Sequence, residues 1–510
     1  MSKRKGAVAA GHEITAQAAA DILGEGGNAF DAALAAMFTA CVSETVLASI
    51  GGGGFLMAHD ARSNASTLYD FFVRTPAVQR PRTEAGFHAI HADFGPARQE
   101  FHIGAGSTAV PGFVAGAFAI HRSLCTLPMS RIIEPAVAAA RQGVTMTAFH
   151  AYLFTVIAPI LTASGEARAL FAPGGNLLKA GETFRNPQLA DTLEALALEG
   201  ERLFGEGEVG RAMLRQSREH GGHLTAQDLD SYRTHLRDPL MWRHRGTDVA
   251  LNPAPAAGGP LIGFGLALIE RLLPEGGAPT ALRLARIMEA TNRAREGDSG
   301  DLLAEDVLAR HLAAVRDRAP ASRGTTHISV IDAHGNAAAV TISNGEGNGL
   351  MVDGHGFMLN NMLGEEDLNP QGFFNWTPGR RLSSMMSPTL LRAADGTLTA
   401  LGSGGSNRIR SALLQAISHL ADRGLCLRDA IGMARLHVER DGVLSYEAGG
   451  FAADWGEDDL GRMLEAFPDA RGWPEPNMFF GGVHAVQRAP DGGRLEGEAD
   501  ARRRGAVAYG

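Results

Sequence analysis

A threonine that follows a glycine and opens a strand offers a hydroxyl nucleophile, and Gly324-Thr325-Thr326-His327 is such a place. The stretch before it, Arg316 to Arg323 with Pro320 inside, is charged and unpatterned, as an exposed loop is. After it Thr326 to Ile331 alternates, Ala333-His334-Gly335-Asn336 is a turn signal, and Ala337 to Ser343 is a second strand. That spacing predicts a β-hairpin with Thr325 at its open end. A β-branched residue at a strand start is ordinarily structural, so the company of Thr325 carries the weight. Leu359-Asn360-Asn361, Leu382-Ser383-Ser384-Met385-Met386-Ser387-Pro388 and Gly402-Ser403-Gly404-Gly405-Ser406 supply hydroxyls, amides and backbone N–H groups. Such groups can bind an acyl substrate and hold developing negative charge.

Other chemistry finds no footing. Gly51 to Gly54 lacks the Lys-Ser/Thr of a phosphate loop, and His12-Glu13 has no second histidine at the zinc-protease spacing. The 18 histidines show no metal pattern, and Cys41, Cys125 and Cys426 are too scattered for a disulfide framework or a metal cluster. No metal and no cofactor are expected. The net charge of −9 argues against nucleic acid as a partner.

The elements that must position these residues are mixed. Helical spacing runs over Ile14 to Leu23 and over Ala29 to Thr39, the second capped by Asn28. Gly112 to Ile120, Ile132 to Ala140, Leu266 to Leu272, Leu282 to Ala294, Ile409 to Leu420 and Leu427 to Ala434 also read as helices. Strand patterns occur at Phe55 to His59, Phe357 to Asn360, Leu390 to Ala393, Thr397 to Leu401, Val483 to Gln487 and Ala506 to Tyr509. Strands and helices come in runs rather than in strict alternation, which predicts α+β layers. With 45% hydrophobic and 20% charged residues, 510 residues suffice for a large core. The start is basic, but the apolar run Ala7 to Ala10 is too short for a signal peptide. No stretch is long enough to span a bilayer, so a cytoplasmic location and no membrane partner are expected.

Seven segments, in order, resemble the gamma-glutamyltransferase family. They are Glu25 to Ala33, Gly51 to Phe55, Val110 to Gly116, Leu224 to Tyr232, Pro253 to Gly259, Thr325 to Asn336 and Ala499 to Ala506. The resemblance runs nearly end to end. It implies an N-terminal-nucleophile hydrolase with a stacked αββα sandwich. It implies one precursor cut between Gly324 and Thr325, giving a large subunit, 1–324, and a small subunit, 325–510, with a higher oligomer open. Thr325 would be the nucleophile and its freed α-amine the base, since such an amine ordinarily titrates at about 7.7–8.0. Ser343 would align the nucleophile, and Gly404 and Gly405 would form the oxyanion hole. Ser383, Ser384, Asn344 and Glu365 would bind a small amide or peptide donor.

Four departures from the family pattern bear on the substrate. In Asp70-Phe71-Phe72-Val73-Arg74-Thr75-Pro76, Phe72 stands where the family has a carboxylate-binding arginine, and Arg74 lies two residues on. Arg74 either substitutes from there or is an ordinary surface residue. Met362 replaces a glutamine, the loop after Ser343 is shorter by two, and Glu365 to Arg381 is too short for a full lid. These changes predict an apolar pocket wall at Phe72 and Met362. The readings that follow are gamma-glutamyl hydrolysis or transfer, an acylase or amidase acting on another acyl group, and an uncleaved, non-catalytic homologue.

Overall fold

The computed structural model describes residues 4–93, 98–296, 307–313, 324–369 and 371–510. The loop expected before Thr325, 316–323, lies outside these. Two antiparallel sheets lie face to face. In chain order, their strands are β1 (Gly6–Ala10), β2 (Gly53–Asp60), β3 (Ala65–Phe71), β4 (His235–Arg237), β5 (Leu240–His244), β6 (Thr247–Leu251), β7 (Thr325–Asp332), β8 (Ala337–Ser343), β9 (Thr389–Arg392), β10 (Leu398–Gly404), β11 (Gly482–Arg488), β12 (Leu495–Ala499) and β13 (Ala506–Tyr509). The first sheet runs β13-β1-β7-β8-β2-β3-β4 and the second β12-β11-β10-β9-β6-β5.

Strand alternation makes the layers. In β1, Ala7 and Ala9 join the core between the sheets, while Val8 and Ala10 join the core under the helices. β7 and β8 divide in the same way, with Ile331, Ala337 and Ala339 on one face and Ile328, Val330, Ala338 and Val340 on the other. A strand apolar on both faces reads as a continuous run. The short Ala7 to Ala10 run is therefore an inner strand, paired with β7 and β13.

Helices α1 (Glu13–Gly24) and α2 (Ala29–Ser43) cover the first sheet. Every residue of α2 is buried, as expected of a helix apolar nearly all round. Asn28 caps it, accepting from Phe30 N and Asp31 N, and Asp31 answers with a bond from Asn28 N. Such a reciprocal cap contributes roughly 1 kcal/mol. Helices α3 (Phe113–Leu124), α4 (Met129–Gln142) and α5 (Pro187–Glu199) extend this layer. Against the second sheet lie α6 (Gly258–Leu272), α7 (Ala281–Glu296) and α8 (Arg408–Ala421). The result is the αββα sandwich the resemblance implies.

Two local expectations differ. Phe357 to Asn360 forms no strand; Met358 and Leu359 make only isolated bridges, to Met351 and Gly51. The helix expected over Leu427 to Ala434 stops at Gly432, and Leu436–Val438 turns into a small separate sheet. Among the described residues no helix is long and apolar enough to cross a membrane.

Candidate active site

Register fixes the site. Thr325, the first residue of β7, sits opposite Ser343, the last of β8, and Ser343 sits opposite Gly53 on β2. Thr326 points into the helical layer, where its Oγ1 donates to Glu44 Oε2 at 2.5 Å. Two residues on from Thr325, the His327 ring meets Gly402 of β10. By alternation Thr325 also faces the second sheet.

There it meets the end of β10. A Cβ on Gly404 would lie 2.3 Å from the Thr325 carbonyl oxygen, so only glycine permits this approach. Gly405 follows at φ +124° and Ser406 at φ +61°. Among the described residues, no acceptor takes the N–H of either Gly405 or Ser406. Two N–H groups left open at a strained turn are suited to a developing oxyanion. Ser406, a positive-φ serine, stands beside the glycine pair that the sequence singled out.

The peptide before Thr325 is held just as closely. A Cβ on Gly324 would fall 1.8 Å from Gly345 O. The Ser343 hydroxyl donates to the Gly324 carbonyl and accepts from Gly345 N at 3.1 Å. In the intact chain Ser343 thus grips the carbonyl of the Gly324–Thr325 bond. A donor there stabilises charge on that oxygen when the bond is attacked.

Two buried ionisable groups complete the surroundings, and neither was assigned a role from sequence. Arg503 Nη1 donates to Thr325 O at 2.9 Å. Burial pushes its pKa down to about 10, against the pull of Asp500, Glu346 and Glu44, so it stays charged at neutral pH. Its neighbour Asp500 is held by Arg435 at 2.6 Å and Arg502 at 3.2 Å. Glu44 accepts from Thr326 and, at 3.0 Å, from Thr15. Burial pushes its carboxyl up to about 7, more than these bonds and Arg503 pull it down. The Arg503 signal lay in the matched tail segment; Glu44 sits just past the helix end, with no motif to mark it.

On the acyl side, Asn344 is buried and its Oδ1 meets no donor among the described residues. The Glu365 carboxylate packs against Gly345, beside Asn361, whose Oδ1 accepts from Glu346 N at 2.8 Å. Glu366 is exposed, so Glu365 is the member of that pair turned inward.

The remaining predicted residues are engaged elsewhere. Phe72 is 1% exposed and stacks on Phe55 with ring centres 5.3 Å apart, so it is core and not a pocket wall. Met362 is core as well. Arg74 Nη2 is fastened to Asp228 O at 3.0 Å and Ser231 Oγ at 2.6 Å. It is neither an open surface arginine nor aimed at an acyl group. Ser383 Oγ donates to Pro255 O at 2.9 Å, and Ser384 Oγ accepts from Met386 N at 3.1 Å. The arginines beside Asp70 are instead Arg237, whose Nε donates to Asp70 Oδ2 at 2.9 Å, and Arg381; sequence reasoning passed over both. Arg381 Nε lies 3.2 Å from Asp70 Oδ1, and its Nη1 donates to Phe72 O and to Tyr232 Oη.

The gamma-glutamyltranspeptidase family pattern matches residues 15–314 and 301–510. A glutathione hydrolase proenzyme of Bacillus subtilis (strain 168) is 26% identical over 99% of this chain and 91% of its own length. The acylase ACY 1 proenzyme of Pseudomonas sp. (strain V22) is 29% identical over 87% of this chain and 84% of its own. Among solved structures, the cephalosporin acylase from Bacillus halodurans shares the fold with a TM-score of 0.82 at 22% identity, covering 99% of this chain and 96% of that one. With the family match spanning both sheets and the Gly324–Thr325 junction, the chain belongs to the gamma-glutamyltranspeptidase family of N-terminal-nucleophile enzymes.

Proposed function

We propose that the chain cuts itself between Gly324 and Thr325, into subunits 1–324 and 325–510, and that Thr325 then hydrolyses or transfers the acyl group of a small amide. The observation that carries this reading is the Ser343 hydroxyl on the Gly324 carbonyl, with Gly404 closed against Thr325. Attack by the Thr325 hydroxyl moves the acyl group from nitrogen to oxygen, and water hydrolyses the ester. The freed α-amine, a group that ordinarily titrates at about 7.7–8.0, then takes the hydroxyl proton from Thr325 during attack on substrate. It returns that proton to the leaving amine. The Gly405 N–H and, in place of the Gly404 N–H expected from sequence, the Ser406 N–H receive the oxyanion, and Arg503 fixes the Thr325 backbone.

The acyl group preferred is one without an α-carboxylate. Arg74 and Arg381 are both consumed by protein partners, and the Ser383 hydroxyl donates to backbone. A carboxylate buried there would lose water without a free cation, which is costly. The relatives include an acylase as well as glutathione hydrolases, which supports this second specificity. The test compares kcat/KM for gamma-glutamyl, glutaryl and hydrophobic N-acyl anilides in wild type and Thr325→Ala. Turnover of a neutral donor at least tenfold above the gamma-glutamyl donor, absent from Thr325→Ala, is expected. Preference for the gamma-glutamyl donor would overturn the specificity, and full activity in Thr325→Ala would overturn the nucleophile.

A further inference from the structure

A cavity of about 580 Å³ opens beyond the turn that follows β10, with Gly405 and Arg503 at its inner end. That volume is ordinary for a small-molecule site. Its apolar lining includes Trp473, Phe479, Pro474 and Val443, and charged Asp441 and Arg471 line it as well. The Trp473 and Phe479 rings stack, centres 4.7 Å apart and 22° from parallel. Arg408 lies over the Phe479 ring at 4.2 Å and pairs with Glu439, so its charge is already answered. Trp473 is only partly buried, so its face away from Phe479 still offers surface to an incoming group.

The acyl side of Thr325 lies elsewhere. In the intact chain Gly324 stands in the place of the acyl group. Its carbonyl is held by Ser343, and its Cα packs against Gly345 O and near Glu346. Ser343, Gly345 and Glu346 do not line the cavity. Thr325 does not line the cavity itself; its neighbours do, Arg503 through the bond to Thr325 O and Gly405 through the turn that follows β10. We propose that the cavity receives the amine portion of the substrate and selects amines that carry a planar aromatic group. This rests on Thr325 being the nucleophile.

The chemistry balances in both directions. During acylation the scissile C–N bond breaks, Thr325 Oγ gains the acyl group, and the amine leaves with the proton held by the Thr325 α-amine. In transfer, an acceptor amine in the cavity attacks the ester and forms the new C–N bond. Its proton passes to the Thr325 α-amine and on to the released hydroxyl. Offset stacking on the face of Trp473 turned away from Phe479 rewards a flat ring.

The test offers one N-acyl p-nitroanilide with equal concentrations of phenylalaninamide and glycinamide, and reads the ratio of the two transfer products. The ratio within each variant is independent of overall activity. Wild type is expected to favour phenylalaninamide at least tenfold. Trp473→Ala, which removes a wall, and Val443→Trp, which fills the space, should both bring the ratio near one. A wild-type ratio near one, or a ratio untouched in both variants, overturns the proposal. So does a change, measured with a second N-acyl p-nitroanilide, in the kcat/KM ratio of the two donors at constant acceptor ratio, which would place the acyl group in this cavity. If no anilide is turned over, the reading of Thr325 has failed, and titration calorimetry decides the cavity alone. Phenylalaninamide binding that weakens at least tenfold in Trp473→Ala sustains it, and no binding to wild type sinks it.

Discussion

The open end of the β7–β8 hairpin and the segment around Asp70 lie on the same sheet, yet they are held in place by different means. At the hairpin, position is a matter of backbone. Thr325, Ser343 and Gly404 are placed by strand register and by contacts that a single Cβ would prevent. Around Asp70, position is a matter of long side chains. Arg74 and Arg381 bridge to each other's backbone, but one guanidinium turns to Ser231 and the other to Asp70 and Tyr232. A register argument says which face a residue shares; it does not say where a guanidinium ends.

Breaking the backbone side should cost most. In Gly404→Ala the new methyl would stand 2.3 Å from Thr325 O and 2.7 Å from Arg503 Nη1. The end of β10 must move, taking the Gly405 turn with it. Turnover is expected to fall roughly 10²–10³-fold, the cost of a misplaced oxyanion donor. Steady-state kinetics on a correctly cleaved preparation would check this, and a loss under tenfold would remove the turn from the catalytic machinery.

On the side-chain side, Phe72→Arg separates packing from recognition. The sequence pattern alone suggested that this change would restore a carboxylate contact. Since Phe72 is buried on Phe55, the variant should lose stability instead, on the order of 3–5 kcal/mol from packing plus a buried charge. Arg74→Ala should leave KM for the gamma-glutamyl anilide within about threefold, because its guanidinium bonds Ser231 and Asp228 and no acyl group. Tighter gamma-glutamyl binding in a stable Phe72→Arg protein would show that this wall is a pocket after all.

The smallest effect concerns pH. Burial raises the Glu44 carboxyl from 4.5 to about 7, so the folded chain holds this proton more tightly than the unfolded one. The associated stability is complete below pH 4.5 and is lost as pH rises through about 7. The loss amounts to roughly 3 kcal/mol. Tm against pH should therefore fall more steeply between about pH 5 and 8 in wild type than in Glu44→Gln. Parallel curves would mean that Glu44 is ionised throughout.

Much of the fold could be read in advance because its signals are periodic. The Asn28 cap, the β7–β8 hairpin, and the strands at β10, β11 and β13 all fall near their expected places. β1 was missed because alanine marks both faces of a buried strand with the same short run that a truncated signal segment would show. Phe357 to Asn360 misled for the converse reason: an apolar run lies buried under α2 and β2 with only isolated bridges to pair it. At the site, glycines and hydroxyls near the nucleophile were visible as motifs. Arg503 and Glu44 were not, since their roles depend on contacts across 178 and 282 residues of chain.

The central claim is that the Gly324–Thr325 bond cuts itself, and mass spectrometry of the purified protein reads it directly. After prolonged incubation at neutral pH, wild type should give two fragments, one ending at Gly324 and one beginning at Thr325, while Thr325→Ala stays a single chain. A wild-type chain that remains whole, or a cut at any other bond that leaves Thr325 without a free α-amine, would contradict the account.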